Sequence, residues 1–412
     1  MRARERAASV RQMAAKLLHG SDPLRVVIAG GGVAALETLI GLSATAATRL
    51  ALTLVAPGEQ FIYRPLEVGE PFGLGSPRRY DLADLAGDFG ARVLRDALAR
   101  VRPEERVALL ASGDEVPYDA LVVAVGARPV PAFEHGVVFD REHEGAAFDE
   151  VLADVSVGLV SDVAVVVPPG VTWTLPAYEL ALMTAAWGRA SWRHRVRVTL
   201  VTGEEAPLDA FGAPVSRAVA AIAATGGVDV LTGIDADVVS DTTLRLGGGA
   251  GLLVADRIVA LPAPAGPRIT GLPADGEGFI HADEHGRVPS LERVYAAGDG
   301  TTHPVKQGGL AAQQADAVVE HLAAAAGAEL VPRPYRPVLR GLLRTQDGPR
   351  YLRAELGDVE ATSAISAHPL WWPPSKIASI WLSPHLARRE VARAAAPQAL
   401  ETGGIAWQST AR

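Results

Sequence analysis

The chain has 412 residues, no cysteine and a formal net charge of −8, with 49% apolar and 21% charged residues. This composition supplies an apolar core for two or three domains. The charge excludes nucleic acid as a partner, because no basic surplus is present to neutralise phosphates. The lack of cysteine excludes disulfides, thiolate metal sites and electron transfer through a protein thiol.

Residues 1–21 carry a predicted N-terminal helical extension. Val10, Met13 and Leu17 repeat at helical spacing among arginines, as in an amphipathic helix. The apolar stretch is too broken for a secretory signal, and no later apolar run reaches the roughly 18 residues that a membrane span needs. We expect a short helix docked on its own domain. The alternative is a basic helix lying on an anionic membrane.

A glycine-rich turn follows the first predicted strand. Residues 26–29 form the apolar run of a buried parallel strand. Gly30 then permits a tight turn, Gly32 leaves the backbone open to a pyrophosphate, and Ala35 lets the next helix pack closely on the strand. The helix N-terminus offers free N–H groups to phosphates. The predicted phosphate-binding residues are Gly30, Gly32, Val33, Ala34 and Ala35.

The acid that usually holds the adenosine ribose is missing from its expected place. It should close the second predicted strand, at residues 52–55, about 20 residues after the glycine turn. Ala56 stands there instead, and Glu59 is the nearest substitute.

A second motif lies late in the chain. Residues 294–297 predict a strand that leads into Gly298 and Asp299. Lys306 and Gln307 follow, just before a helix that begins with glycines. Each motif alone is a weak signal, but together and in this order they predict bound FAD and therefore redox chemistry.

Three strands of the first half have counterparts later in the chain. The first set lies at 26–29, 52–55 and 121–126, and the second lies at 163–167, 198–201 and 257–261. Each set is the frame of a nucleotide-type strand–helix–strand domain. The sequence therefore predicts an α/β fold of two Rossmann-like domains, the second inserted in the first, plus an α-rich C-terminal tail. The predicted units are the extension at 1–21, an FAD-binding domain at 22–152 and 272–330, a second NAD(P)-binding-like domain at 153–271, and the tail at 331–412.

The second predicted domain has lost its phosphate loop. Pro168, Pro169 and the bulky Trp173 follow its first strand where glycines are needed. The prolines remove N–H donors and fix φ, so this loop cannot wrap a pyrophosphate in the usual way. The glycine run at 247–251 lies between two strand-like segments and predicts a hairpin loop. The sequence therefore argues against NAD(P)H binding in this domain.

Three stretches resemble known flavoproteins. Residues 61–66 are similar to a loop that passes beside the flavin, and residues 118–129 are similar to a "YDxLVxATGxxP" stretch with Val125 in place of the threonine. From residue 25 to about 325, the chain resembles the pyridine nucleotide-disulfide oxidoreductase superfamily. Within it the likeness is to sulfide:quinone oxidoreductases and type II NADH dehydrogenases, and residues 176–179 look like the former. The cofactor-binding residues in these stretches are Arg64, Pro65, Ala124 and Gly126.

The resemblance implies roles for the late motif. Asp299 would accept hydrogen bonds in the ribityl–pyrophosphate region of FAD. The backbone near Lys306 and Gln307 would meet the isoalloxazine ring. The Lys306 cation would stabilise the anionic reduced flavin, and the alternative is a solvent-facing lysine.

Two further residues are candidate proton carriers. His303 follows the Asp299 loop and is a candidate proton donor to the flavin, or else a surface or capping residue. Glu179 begins the second domain's helix and is a candidate proton relay, or else a structural glutamate of a first helical turn. His281 and His285 lie around a predicted strand and turn, so we expect no metal site.

The tail carries a tryptophan- and proline-rich segment at 370–382, in which Ile377, Ile380 and Trp381 share a helical face. In both families that the chain resembles, C-terminal amphipathic helices dock on the membrane and help to admit quinone. The tail is thus a candidate for peripheral membrane contact. The alternative is a lid over the flavin or a homodimer surface.

The leading hypothesis is an FAD-dependent oxidoreductase that passes electrons from a small donor, such as NAD(P)H, to a quinone or other acceptor without cysteine chemistry. The alternative is a flavin-binding regulatory or assembly protein without turnover. We expect a cytoplasmic protein, or one held peripherally on the inner face of the membrane.

Overall fold

The computed structural model describes residues 23–140, 145–191, 196–357 and 362–395. The predicted extension at 1–21 lies outside the described residues. The fold is α/β with two parallel sheets, as the sequence predicts.

The first part of the chain forms a parallel sheet with short antiparallel additions. The first strand is almost entirely apolar and its last four residues are buried, as expected of a strand covered on both faces. The elements are β1 (Leu24–Ala29), α1 (Val33–Ala46), β2 (Leu50–Val55), β3 (Gln60–Ile62), β4 (Arg79–Asp81), α2 (Leu82–Gly87), β5 (Arg92–Leu94), β6 (Leu98–Arg102), β7 (Val107–Leu110), β8 (Glu115–Pro117), β9 (Ala120–Val123) and β10 (Arg128–Val130).

The middle of the chain forms the second parallel sheet and an antiparallel three-stranded sheet. The glycine run at 247–251 joins two antiparallel strands of that smaller sheet, which confirms the predicted hairpin. The elements are β11 (Val137–Val138), α3 (Gly145–Val157), β12 (Asp162–Val166), α4 (Leu175–Ala190), β13 (Arg197–Val201), α5 (Ala213–Thr225), β14 (Val228–Leu231), β15 (Ala236–Ser240), β16 (Thr243–Leu246), β17 (Gly251–Val254), β18 (Arg257–Ala260) and β19 (Ala263–Ala265).

The last part of the chain returns to the first sheet and then forms the tail. The elements are β20 (Val294–Ala296), α6 (Gly308–Ala325), β21 (Val338–Thr345), β22 (Gly348–Glu355), β23 (Ser363–Ser366) and α7 (Leu382–Ala395).

The two parallel sheets share the arrangement of four strands and differ in the edge strand, which comes last along the chain in the first sheet and first in the second. The first has the order β20-β9-β1-β2-β5, and the second has the order β11-β18-β12-β13-β14. β20 pairs with β9 after the chain has passed through the whole second sheet, so the second unit is inserted in the first. This arrangement is the repeat that the sequence predicts.

The sequence predicts that the first part of the first domain ends at residue 152 and that the second domain begins at residue 153. The segment just before this boundary belongs structurally to the second sheet. β11 pairs with β18, and Phe148 of α3 is buried in the same core cluster as α4. We place the start of the second unit near β11, and the remaining boundaries stay predictions.

The described part of the tail is not α-rich as predicted. β21, β22 and β23 form an antiparallel sheet, and α7 is the helix that follows. Leu339, Gly341 and Leu343 alternate as buried residues along β21, which is the period of a strand with one covered face. Gly341 lacks a side chain, so β21 approaches Leu175 of α4 and Phe211 closely.

Within the described parts of the chain, no helix is long and apolar enough to cross a membrane.

Candidate active site

The glycine turn after β1 has the geometry of a phosphate loop. Gly30 has a φ of 130°, and a Cβ at this position would collide with the carbonyl oxygen of Ala124, just after the neighbouring strand β9. A Cβ on Gly32 would meet nothing within 4 Å, so this backbone faces open space. α1 begins immediately afterwards at Val33, and its free N–H groups point toward that space.

A cavity of about 920 Å³, here called the long cavity, runs from this turn across the first sheet. Its walls come from the carboxyl ends of the parallel strands, where doubly wound sheets bind nucleotides. Ala35 is buried in the core beneath α1 and is not among the described lining residues, which fits its predicted packing role. Of the predicted cofactor-binding residues, the lining includes Gly30, Gly32, Val33, Ala34, Arg64, Pro65, Ala124, Gly126, Gly298 and Asp299.

The far end of the long cavity carries a charged pair. Glu59, the predicted substitute for the ribose acid, lines this cavity and forms an ion pair with Arg95, which also lines it. Both side chains are more than half exposed, so the carboxylate is accessible to a ribose hydroxyl.

Asp299 lies where the long cavity meets a second one. Burial raises the pKa of Asp299 to about 6, although the Lys306 ammonium and the backbone N–H of Gln307 both lower it. A buried carboxylate with so few donors is costly unless further hydrogen bonds reach it. A polyhydroxylated ligand in the cavity would supply them.

Lys306 and His303 are held by the loop that follows Asp299. The Lys306 ammonium donates to the carbonyl oxygens of Thr301 and His303 and lies 3.7 Å from the centre of the Phe279 ring. Burial lowers the pKa of Lys306, and the Asp299 carboxylate opposes this shift. Lys306 lines the second cavity, whereas His303 is absent from the described linings of both cavities.

His303 contacts protein groups instead. Its Nδ1 is 3.2 Å from the carbonyl oxygen of Val305, and its ring packs edge-to-face on Tyr335. Burial lowers the pKa of His303, which favours the neutral imidazole. Its predicted role as a proton donor to the flavin has no support in these contacts.

The second cavity, here called the apolar cavity, has a volume of about 440 Å³. Val171 and Trp173 of the proline-rich loop, Phe139, and Leu342 of β21 supply apolar walls. Gln307 lines it too, while its side chain caps α6 by accepting from the N–H of Leu310. The apolar cavity shares six lining residues with the long cavity: Arg64, Pro65, Ala127, Asp299, Gly308 and Ile377.

A buried ion pair forms one wall of the apolar cavity. The Glu179 carboxylate pairs with the Lys376 ammonium and accepts the backbone N–H of Arg344 at 2.8 Å. The two side chains are 0% and 8% exposed. Burial lowers the pKa of Lys376, and the neighbouring Glu179 carboxylate opposes the shift. The pair joins α4 of the second unit to the tail.

The carboxyl ends of β12 and β13 would hold a dinucleotide in an ordinary second domain. Here the Glu204 carboxylate, just after β13, accepts the hydroxyls of Thr174, Tyr178 and Thr202. Burial raises the pKa of Glu204, and these hydroxyls oppose the shift. An acid in this position usually binds a ribose, but this one is already engaged by the protein.

Glu37 of α1 anchors the tail over both cavities. Its carboxylate accepts the backbone N–H groups of Ile380, Trp381 and Leu382 at 2.6–2.8 Å. These N–H groups lie at the start of α7, where a negative charge is stabilising. The contact holds Ile377, which lines both cavities.

Comparison with known proteins identifies the family. The family model for pyridine nucleotide-disulphide oxidoreductases matches residues 24–317. The chain belongs to this family. As such it is a flavin-dependent oxidoreductase with FAD as its cofactor, and the long cavity, the glycine turn and Asp299 fit that cofactor.

Individual relatives of this flavoprotein are distant. A 105-residue stretch is 32% identical to the mitochondrial sulfide:quinone oxidoreductase of Dictyostelium discoideum and covers 25% of this chain and 23% of that protein. The stretch therefore spans about a quarter of that relative's length.

Solved structures share the fold of this flavoprotein. The sulfide:quinone oxidoreductase from Aquifex aeolicus has a TM-score of 0.71 at 18% identity, over 84% of this chain and 87% of that chain. The structure of NDH2 from Plasmodium falciparum in complex with NADH has a TM-score of 0.54 at 15% identity, over 68% of this chain and 64% of that chain.

Sequence reasoning missed three residues that organise the site. Lys376 was visible only as one of three lysines in the chain. Glu204 had a better signal, because it follows the second strand of the repeat where a ribose acid is expected. Glu37 had no recognisable signal, since its partners are backbone N–H groups more than 340 residues away.

Proposed function

We propose that this oxidoreductase passes electrons from a small donor through FAD to a quinone, which is reduced in the apolar cavity without any protein thiol. The buried Glu179–Lys376 pair on the wall of that cavity carries the proposal. A quinone is a flat apolar molecule whose two carbonyl oxygens each take up a proton on reduction.

The apolar cavity suits this acceptor. Apolar side chains and prolines make up most of its lining, and Phe139 and Trp173 supply aromatic surface beside several charged residues. A site for a small ligand that combines apolar walls with placed polar groups has this composition. It adjoins the long cavity at Gly308 and Ile377, so an occupant lies next to the FAD site.

One residue of this wall can deliver a proton. Bound FAD would provide the two-electron redox chemistry. Lys376 has a lowered pKa, and it would donate a proton to one quinone oxygen and become neutral. Glu179 would stay ionised and orient the ammonium through their ion pair. Solvent would then reprotonate Lys376 and supply the second proton of the hydroquinone.

The donor is proposed to be a small molecule other than NAD(P)H. Glu204 is engaged by three protein hydroxyls at the carboxyl ends of β12 and β13. The loop between β12 and α4 carries Pro168 and Pro169, and Thr172 ties it to the carbonyl oxygen of Pro304. The nicotinamide nucleotide site therefore lacks both its phosphate loop and a free ribose acid.

Reoxidation of the reduced enzyme tests the acceptor. The purified holoenzyme is photoreduced under anaerobic conditions and mixed with a water-soluble ubiquinone analogue, and the return of the flavin absorbance is recorded. We expect rapid reoxidation by the quinone. We expect no bleaching of the oxidised enzyme by NADH or NADPH. Failure of every quinone to reoxidise the flavin would favour a flavin-binding protein without turnover.

A double variant tests the buried pair. Glu179→Gln with Lys376→Met removes both charges, which avoids leaving one buried charge unpaired. Since a positioned proton donor typically contributes about 10²–10⁴-fold, we expect quinone reoxidation to slow at least about 100-fold with FAD content unchanged. The control is Arg353→Gln with Glu355→Gln, which removes a partly exposed ion pair from the same tail sheet. Equal rates in both double variants would contradict the proposed proton role.

A further inference from the structure

A third cavity lies on the tail side of the molecule, and the proposed electron transfer does not use it. This basic cavity has a volume of about 410 Å³ and shares Lys376 and Leu342 with the apolar cavity. None of its described lining residues lines the long cavity. An occupant would therefore not reach the FAD site.

The walls of the basic cavity carry positive charge. Arg78, Arg344 and Lys376 line it, and no acidic side chain is among its described lining residues. Two of these cations have partners just outside the cavity, because Glu179 pairs with Lys376 and Glu390 lies 3.6 Å from Arg78.

Arg344 is the third cation that lines the basic cavity. Its Nη1 donates to the carbonyl oxygen of Leu74 at 2.9 Å, and no carboxylate among the described residues pairs with its guanidinium. The groups around the basic cavity thus carry one net positive charge, which matches a ligand with a single negative charge. A guanidinium with free N–H groups is suited to a carboxylate.

The remaining walls are mostly apolar. Leu66, Pro373, Pro374 and Leu386 line the basic cavity, together with four hydroxyl groups that already form hydrogen bonds with the protein: those of Tyr63, Tyr80, Ser375 and Ser383. The volume lies in the lower part of the range for small-molecule sites. A hydrated inorganic anion would leave these walls without contacts. An organic acid with a compact hydrocarbon body would satisfy both the walls and the arginine.

We propose that the basic cavity binds a monocarboxylate with an apolar body, and that Arg344 receives the carboxylate. This site is separate from the proposed quinone site, so both ligands fit at once. The carboxylate of the ligand would approach Lys376 from the basic cavity. The Glu179 carboxylate holds the same ammonium group from the side of the apolar cavity.

Calorimetric titration of the holoenzyme with octanoate tests this site without depending on turnover. Octanamide is the uncharged control ligand of nearly the same shape. We expect octanoate to bind at least about tenfold more tightly than octanamide, because only the carboxylate makes a charge-assisted contact with the guanidinium. Equal affinities for the two ligands would overturn the proposal.

Two variants locate the binding. Arg344→Gln keeps the backbone N–H that Glu179 accepts, and it should reduce octanoate affinity to that of octanamide. The control Arg350→Gln, on the adjacent strand β22 and outside the described cavity lining, should bind octanoate like the wild type. Ala387→Phe fills the cavity from α7 without changing a charge and should abolish binding. Unchanged octanoate binding in Arg344→Gln or in Ala387→Phe would show that the ligand binds elsewhere.

Discussion

Asp299 and Asp316 show what burial does to single carboxyl groups in this protein. Burial raises the pKa of Asp299 to about 6 at the junction of the long and apolar cavities. Burial and the nearby Glu37 charge raise the pKa of Asp316 to about 9. The first group faces a ligand cavity and the second supports the tail anchor, so their titrations affect different properties.

At Asp299 we propose that the affected property is cofactor binding. Hydroxyl groups of FAD donate best to the ionised carboxylate, so FAD binding favours deprotonation and affinity falls as the pH drops through about 6. Fluorescence titration of apoprotein with FAD should show about tenfold weaker binding at about pH 5 than at about pH 8. Asp299→Asn should bind FAD roughly 10–100-fold more weakly than the wild type at about pH 8, and its affinity should be nearly the same at the two pH values. A flat pH profile in the wild type would contradict the assignment.

At Asp316 the affected property is stability. Because the pKa is raised in the folded state, the folded chain holds this proton more tightly than the unfolded chain. Stability from this group is therefore lost as the pH rises from about 4 toward about 9. Asp316→Asn should raise the melting temperature at about pH 8 by at least about 2 °C and by less at about pH 5. Asp347 lies in an exposed turn, so Asp347→Asn should leave the melting temperature unchanged at both pH values. If Asp316→Asn raised the melting temperature equally at both pH values, the cause would not be titration of Asp316.

Helix α7 and the tail sheet are the elements that complete the site. α7 is held at its N-terminus by Glu37 on α1, and β21 is held through the Arg344 backbone N–H by Glu179 on α4. One carboxylate belongs to each parallel-sheet unit. Both are fully buried, so the tail joins the two units through charge-assisted hydrogen bonds rather than through apolar packing alone.

Glu37→Gln tests this anchor. The amide has a single oxygen for three N–H donors and adds an NH₂ group of its own, so we expect a loss of about 1.5–3 kcal/mol in the free energy of unfolding. Limited proteolysis should then cleave the tail between β23 and α7 faster than in the wild type. Glu355→Gln, in a partly exposed pair, is the control for loss of a carboxylate. Unchanged cleavage in Glu37→Gln would mean that packing alone holds the tail.

On the scale of the whole molecule, the tail also presents apolar side chains to solvent. Trp372 is 85% exposed and Ile380 is 57% exposed, and a quinone acceptor would be dissolved in a membrane. We propose that this tail surface is the peripheral membrane contact expected from the sequence.

Vesicle sedimentation tests the proposed contact. Trp372→Ser with Ile380→Ser should reduce binding to vesicles that contain anionic lipid by at least about tenfold, since burying such side chains contributes about 1.5–3 kcal/mol each. Leu252→Ser with Val254→Ser removes a similarly exposed apolar pair from β17 and should leave binding unchanged. Equal vesicle binding by the two double variants would contradict the proposed membrane contact and favour a tail that acts only as a lid.

The cofactor-binding fold of this protein could be predicted from residue types and their spacing. Three features depend on backbone geometry within short segments: the glycine turn after β1, the late Gly298-Asp299 motif and the repeated strands. Residue type and spacing along the sequence indicate such features directly. They predicted the two parallel sheets, the FAD cofactor and ten of the residues that line the long cavity.

The rest of the site depends on contacts that form only when distant parts of the chain pack together. The Glu179–Lys376 pair, the Glu37 anchor and the Tyr178–Glu204 contact join residues between 26 and 345 positions apart. Side-chain pairing over such distances leaves no periodic pattern in one sequence. The tail was misread for a related reason: its helical spacing at 377–381 is local, whereas the strand alternation in β21 has meaning only against the α4 surface that it covers.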